Sequence, residues 1–212
     1  MIMSAAIEKT RTAAAKRIFK VIEYENKNRK IQHATGFWWH DGGQYIVNGY
    51  VGIATAQGCD IQDIPQNENN EEALPTIYDI LDNAAKHCTM EITQFVPPVA
   101  EIKVYEKYVR SKTNKYRGKF GIPMFIGDDL VDTYHLLSVI QTLPNSRVFV
   151  NPKSLLRPLY FISDYGWGVL LPIRPLFEKD GESEYYKANP FVNKPIHPKI
   201  AFNENKEWKR YE

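Results

Sequence analysis

Between Ile31 and Ala56 the chain crowds aromatic and β-branched residues together (Phe37, Trp38, Trp39, Tyr45, Ile46, Val47, Tyr50, Val51, Ile53), and His40-Asp41-Gly42-Gly43 breaks the run. Residues of the first kind fit a pleated, half-buried surface, while Asp-Gly and Gly-Gly tolerate the positive φ of a tight turn. The stretch therefore predicts an antiparallel hairpin. Asn48-Gly49 predicts a second turn or bulge before Tyr50-Val51-Gly52-Ile53.

Helical spacing precedes the hairpin. From Ser4, a capping residue, to about Ile22, the side chains of Ile7, Ala14, Ile18, Val21 and Ile22 fall on one side at 100° per residue. Lys9, Lys16 and Lys20 fall opposite, Arg17 lies nearby, and Arg11 points awkwardly towards the apolar stripe. A polar, acidic loop is expected from Gly58 to Ala73. A helix is then expected from about Thr76, with Asp79 reciprocating its cap and Ile77, Ile80, Leu81, Ala84 and Cys88 as its core stripe. Pro97-Pro98 ends the next segment. Ala100 to Arg110 reads as a strand, as does Phe120 to Ile126. Gly127-Asp128-Asp129 opens a third helix to about Thr142, with Leu130, Tyr134, Leu137 and Ile140 facing inward and its acids suiting the positive end of the helix dipole. Strands follow at Arg147 to Val150, Leu159 to Ile162 and Trp167 to Ile173, then an irregular, proline-bearing tail over residues 176–212.

Bulk composition narrows the class. A chain of 212 residues, 43% hydrophobic and 25% charged, has ample material for a core. Its apolar runs are strand-sized, short of the roughly 20 residues a bilayer needs, and its N-terminal Ala13-Ala14-Ala15 run is flanked by Lys and Arg, unlike a signal peptide. Cys59 and Cys88 read as reduced thiols of a cytoplasmic protein, with no membrane partner expected. The net charge of +2 says little, but its distribution is uneven. Lys103, Lys107, Arg110, Lys112, Lys115, Arg117 and Lys119 face one acid, Glu106, over residues 103–119, whereas residues 60–82 hold acids and no Lys or Arg. Such patches act locally because screening confines their fields to about 8 Å at physiological salt.

Chemistry-bearing motifs are sparse. Glu101-Ile102-Lys103 has the spacing by which a metal-dependent nuclease places Glu and Lys on one strand face, yet Glu25-Asn26-Lys27 and Glu204-Asn205-Lys206 match equally well. His33, His40, His87, His135 and His197 show no metal-ligand spacing, and phosphate-loop, dinucleotide and nucleophile-elbow motifs are absent from the sequence. No catalytic residue, metal or cofactor is expected. The basic segment is the stronger signal, because Tyr105, Tyr108 and Tyr116 interleave with its cations, a mixture suited to phosphates, sugars and bases. Strand-borne lysines that merely protect an edge would look the same.

From Gly121 to Pro175 the order is Ile122-Pro123-Met124-Phe125-Ile126, a helix through Leu143-Pro144, then Arg147-Val148-Phe149-Val150, Pro158-Leu159-Tyr160-Phe161 and Gly168-Val169-Leu170-Leu171-Pro172-Ile173-Arg174. This resembles the closing half of a bacterial DNA sliding-clamp domain, the polymerase III beta-subunit family, in a short, divergent, phage-type form. Residues 41–50, preceded by the lysine-bearing helix, resemble the first half, so about three quarters of the chain is involved. The resemblance implies an α+β fold in which two helix-plus-antiparallel-strands halves, about residues 4–58 and 99–175, pack as one pseudo-symmetric domain spanning 1–175. The acidic loop and extra helix over about 59–90 look inserted, and the third helix departs from one expected to face phosphate because it carries Asp128, Asp129 and Asp132 but no Lys or Arg.

The resemblance further implies a non-enzymatic, sequence-independent duplex-DNA partner. The channel-facing cations on the first helix would be Lys9, Lys16 and Lys20, to which the reading of the residues themselves adds Arg17, Lys112, Lys115, Arg117 and Lys119. It also implies a replication-accessory role with a replication protein as a second partner, a homo-oligomer if a ring closes, and a partner-peptide groove at Leu171, Pro172, Ile173 and Arg174. A scaffold of the same fold that binds protein instead of DNA is the alternative, and a metal-dependent nuclease the third reading.

Overall fold

Ser4 opens the first helix of the computed structural model, α1 (Ala5–Asn28): its carbonyl accepts the Glu8 N–H at 3.1 Å and its hydroxyl accepts the Ile7 N–H at 3.4 Å. The structure describes residues 4–28, 36–40, 42–64, 74–92, 97–112, 121–126, 129–151, 158–173, 200–202 and 208–210. The expected hairpin follows α1 as β1 (Gly36–His40) and β2 (Gly43–Val47), with His40 opposite Gly43 and Gly42 at a φ of 76°. Asn48 supplies the next turn through its side chain, whose Oδ1 accepts the N–H groups of Tyr50 and Val51 at 2.9 and 2.8 Å. The chain then enters β3 (Val51–Thr55). Beyond it come α2 (Leu74–His87) and the short β4 (Met90–Glu91). Helix α2 begins at Leu74, so Thr76 lies inside it and does not cap it.

The largest correction concerns residues 99–112. They form a helix, α3 (Val99–Lys112), where aromatic and β-branched content suggests a strand. Ile102, Tyr105 and Val109 are its buried residues, an i, i+3, i+7 spacing that only a helix turns to one side. Pro97-Pro98 starts this segment: the Pro98 carbonyl accepts the N–H groups of Glu101 and Ile102 at 3.0 and 3.1 Å. The next correction follows at once. Residues 129–132 form a strand, β6 (Asp129–Asp132), paired antiparallel with β5 (Pro123–Ile126), and the third expected helix starts later, as α4 (Thr133–Thr142). Its cap is Asp132, whose Oδ1 accepts the Tyr134 N–H at 2.9 Å. Tyr134 and Ile140 are half-buried, whereas Leu130 and Leu137 are buried as expected.

Strands β7 (Arg147–Val150), β8 (Leu159–Ser163) and β9 (Gly166–Leu170) complete the main sheet, the last ending three residues before the expected Ile173. Gly166, at a φ of 137°, closes the β8–β9 turn so near β3 that a Cβ there would stand 2.1 Å from the Ala54 carbonyl oxygen. Within the tail read as irregular, β10 (Ile200–Phe202) and β11 (Trp208–Arg210) pair antiparallel.

The protein is α+β and divides into two compact units. One comprises residues 1–93 and 135–171, the other residues 94–134 and 172–212, so the expected second half, about 99–175, is shared between them. The first unit holds a seven-stranded antiparallel sheet in the order β1-β2-β3-β9-β8-β7-β4. A helix followed by a three-stranded meander occurs twice in the chain order, α1 with β1 to β3 and α4 with β7 to β9, and the last strands of the two meanders pair at the centre.

Alternation sorts the sheet's side chains between two covers. Trp38, Tyr45, Val47, Ala54, Tyr160 and Val169 pack against Leu81, Ala84 and Cys88 at α2. The other face carries Phe37, Ile46, Ile53, Gly168 and Phe161 in one row. Phe19 of α1 meets Phe37 there at 5.4 Å, and Leu143, just after α4, lies where a Gly168 Cβ would approach to 3.0 Å. Helices α1 and α4 thus share one face and α2 takes the opposite one. In the second unit, the Tyr105 hydroxyl donates to the Pro123 carbonyl at 2.7 Å, and the N–H groups of Ile122 and Thr133 bond across to Thr133 and Ile122 at 3.0 and 2.9 Å, which fastens the β5–β6 hairpin.

Candidate nucleic-acid interface and apolar groove

Helix α1 separates its residues as the sequence suggests. Ala14, Ala15, Ile18 and Val21 are buried, and Lys9, Lys16 and Lys20 are exposed. Lys16 and Lys20 stand seven and eleven residues from Lys9, which at 100° per residue keeps all three within about 40° of arc. Their Cα positions rise by about 10 Å and then about 6 Å along the axis. Lys16 reaches Asp63 at 3.8 Å, with both side chains at least half exposed. An exposed pair of that length is weak and leaves the ammonium open to a competing phosphate.

The two arginines of α1 are occupied differently from these lysines. Arg11 is 1% exposed, and its guanidinium donates to the Thr142 carbonyl at 2.9 Å and the Cys59 carbonyl at 2.7 Å while standing 4.8 Å over the Tyr165 ring. Burial draws its pKa below the ordinary value. Arg17, expected among the phosphate contacts, is half-buried and donates to the Gln141 side chain of α4. Both arginines therefore clasp helix to helix or helix to loop. The neighbouring α4 carries no Lys, Arg, Asp or Glu. The acids thought to burden it lie elsewhere, Asp129 buried in β6 and Asp132 at the cap, while Asp128 falls outside the described residues.

The basic segment belongs to the second unit and is rearranged by its helicity. Tyr105 is 1% exposed and donates inward to Pro123, so it offers nothing to a ligand. Tyr108 is on the surface, with the Lys112 ammonium 5.5 Å from its ring centre, and Lys103 and Lys107 are exposed. Lys115, Tyr116, Arg117 and Lys119 lie outside the described residues. The Glu101-Ile102-Lys103 spacing loses its meaning on a helix, where positions two apart diverge by about 200°. Among the described residues, no group of three or more His, Cys, Asp or Glu side chains could hold a metal ion.

A groove of about 300 Å³ opens on the α2 side of the sheet. Val169, Ala84 and Cys88 are its buried lining, Ile80 and Leu171 stand at 40% and 39% exposure, and Asn83 and His87 add polar groups. Burial pushes the Cys88 thiol's pKa up, and its Sγ lies 3.6 Å from the Pro158 carbonyl, so it behaves as a protonated, weakly nucleophilic wall residue. Both cysteines are free thiols. Of the four residues expected to form a peptide groove, Leu171 lines this one. Pro172 and Ile173 are half-buried, with the Ile173 N–H on the Leu130 carbonyl at 2.7 Å, and Arg174 lies outside the described residues.

Trp39, at 43% exposure, is a surface aromatic within the strand run. The signal was present in Trp38-Trp39, because adjacent strand residues face opposite sides and only one can join a given core. No helix of the described residues is long and apolar enough to cross a membrane. In comparisons with known proteins, no family model, no curated protein and no solved structure matches the chain.

Proposed function

We propose that this is a non-enzymatic, clamp-like protein of the cytoplasm that holds duplex DNA through its phosphates, as an accessory to replication. The observation that carries the reading is the lysine stripe of α1, three exposed ammonium groups on one arc of a helix whose opposite side is fixed to the sheet. One feature supports it. The helix-plus-meander order occurs twice around a central β3–β9 pair, in keeping with the clamp-like plan, while the adjacent α4, without Lys, Arg, Asp or Glu, neither repels nor holds phosphate. Arg17 drops out of the proposed contact set because its guanidinium is engaged by Gln141. Lys112, Lys115, Arg117 and Lys119 remain a second proposed set, and a homo-oligomer would be needed for any ring.

Backbone contact of this kind is indifferent to sequence and steeply salt-dependent. Three neutralised phosphates give an affinity loss of roughly 40-fold between about 50 and about 200 mM salt, since each contributes about 0.9 to the logarithmic slope. Titration of fluorescent duplexes of unrelated sequence tests this. Equal affinities that fall together with salt support the reading, and an affinity indifferent to salt contradicts it.

The groove beside Leu171 favours a second reading, a scaffold that takes an apolar peptide segment from another protein. Replacing Ile80 and Leu171 with Gln would abolish such binding and leave DNA affinity unchanged.

A further inference from the structure

Helix α3 buries Ile102, Tyr105 and Val109 and leaves Lys103, Val104, Lys107, Tyr108, Ser111 and Lys112 exposed. At 100° per residue the exposed side chains span about half a turn of arc. Lys103 and Lys107 form one border. Val104 and Tyr108 run down the middle at 40% and 36% exposure, and Lys112 borders the far side, its ammonium 5.5 Å from the Tyr108 ring centre. Of the helix's two acids, half-buried Glu106 accepts the Thr133 hydroxyl, and half-buried Glu101 sits in the first turn, where the helix dipole favours its charge. Among the described residues no carboxylate pairs with Lys103, Lys107 or Lys112. The face is thus a short apolar strip between two cationic borders. A DNA backbone would use the cations and find nothing in Val104. A bilayer needs a broad apolar helix face, and that of α3 is committed to the interior at Ile102, Tyr105 and Val109. An acidic protein segment uses both features, setting carboxylates against the lysines and an apolar side chain against Val104 and Tyr108.

We infer that the exposed face of α3 docks an acidic protein segment that carries an apolar side chain among its carboxylates. The inference goes beyond the DNA reading and is independent of the lysines of α1. Lys112, shared with the second proposed phosphate set, stays native in its test. Fluorescence anisotropy with two labelled peptides of about twelve residues, enough to cover the roughly 14 Å from Lys103 to Lys112, measures the contact. One peptide is Glu throughout but for two Leu four residues apart, and the other has Ser in place of both Leu. The wild-type chain is expected to bind the Leu peptide about tenfold more tightly than the Ser peptide. Val104→Ser with Tyr108→Ser removes that preference and keeps the weaker affinity for both peptides, which also shows that the variant is folded. Lys103→Gln with Lys107→Gln weakens both peptides about fivefold at low salt. Equal binding of the two peptides by wild type, or a preference that survives Val104→Ser with Tyr108→Ser, would overturn the apolar contact. Indifference to the lysine replacements would overturn the charge match. Blunt duplex DNA or phosphatidylserine vesicles bound more tightly than the Leu peptide, and released by Val104→Ser with Tyr108→Ser, would reassign the face to nucleic acid or lipid and overturn the inference.

Discussion

Arg11 offers the sharpest test of how the first unit is assembled. Its guanidinium donates to the carbonyls of Thr142 and Cys59 and covers the Tyr165 ring, so one side chain joins α1 to the end of α4, the loop after β3 and the β8–β9 turn. In Arg11→Met the apolar stem is kept and these donors are removed. Each buried carbonyl deprived of its donor costs about 1 to 3 kcal/mol, and the lost cation–π contact adds about 1 kcal/mol. Relief from burying the charge offsets part of this, leaving a net destabilisation of about 3 kcal/mol. In a chain of this size that corresponds to about 6 to 12 °C in Tm. Urea unfolding followed by tryptophan fluorescence measures it as a lower midpoint at unchanged slope. Arg11→Lys distinguishes geometry from charge: a single ammonium cannot span both carbonyls as the fork does, so it should lose most of the same stability. A loss below about 0.5 kcal/mol in Arg11→Met, the level of an ordinary surface change, would refute the clasp.

Two further outcomes are expected. His135 is buried under the Tyr50 ring at 5.0 Å, and burial lowers its pKa from 6.5 to about 4. A depressed histidine favours the fold fully above the unfolded pKa, and that contribution is lost as pH falls through the window from 6.5 to about 4. Stability should drop by about 2 kcal/mol between about pH 7 and pH 5 from this group. Urea midpoints that move in parallel for wild type and His135→Leu over that range would show that the imidazole is not responsible. Gly166→Ala should destabilise by at least about 2 kcal/mol, because the new Cβ meets the Ala54 carbonyl and the backbone is left-handed there. A thermal melt at the wild-type Tm would argue against that close approach.

Sequence legibility tracked the kind of signal available. The hairpin was readable because Gly42 and Asn48 impose local turn geometry that needs no tertiary help. The stripe of α1 was readable too, including Arg11, whose awkward position proved to be a buried one. Residues 99–112 were misread because Val99, Val104, Tyr105, Tyr108 and Val109 carry strand-like preferences, while the fold is decided by burial at Ile102, Tyr105 and Val109. The acids at 128–132 were misread for a related reason. Two acids near a helix start suit the dipole, but the hairpin partner at Pro123–Ile126 claims residues 129–132 as a strand, and only Asp132 caps. The groove beside Leu171 depends on what α2 covers and where β9 stops, which single-sequence periodicity does not encode.

The lysine stripe is tested most directly by the salt dependence of duplex binding in the wild-type chain and in a triple variant, Lys9→Gln, Lys16→Gln, Lys20→Gln. If all three ammonium groups sit on phosphates, the slope of log affinity against log salt should become shallower by about 2.7, three contacts at about 0.9 each. Identical slopes in the two proteins would mean that the stripe looks onto water, and that DNA is held elsewhere or not at all.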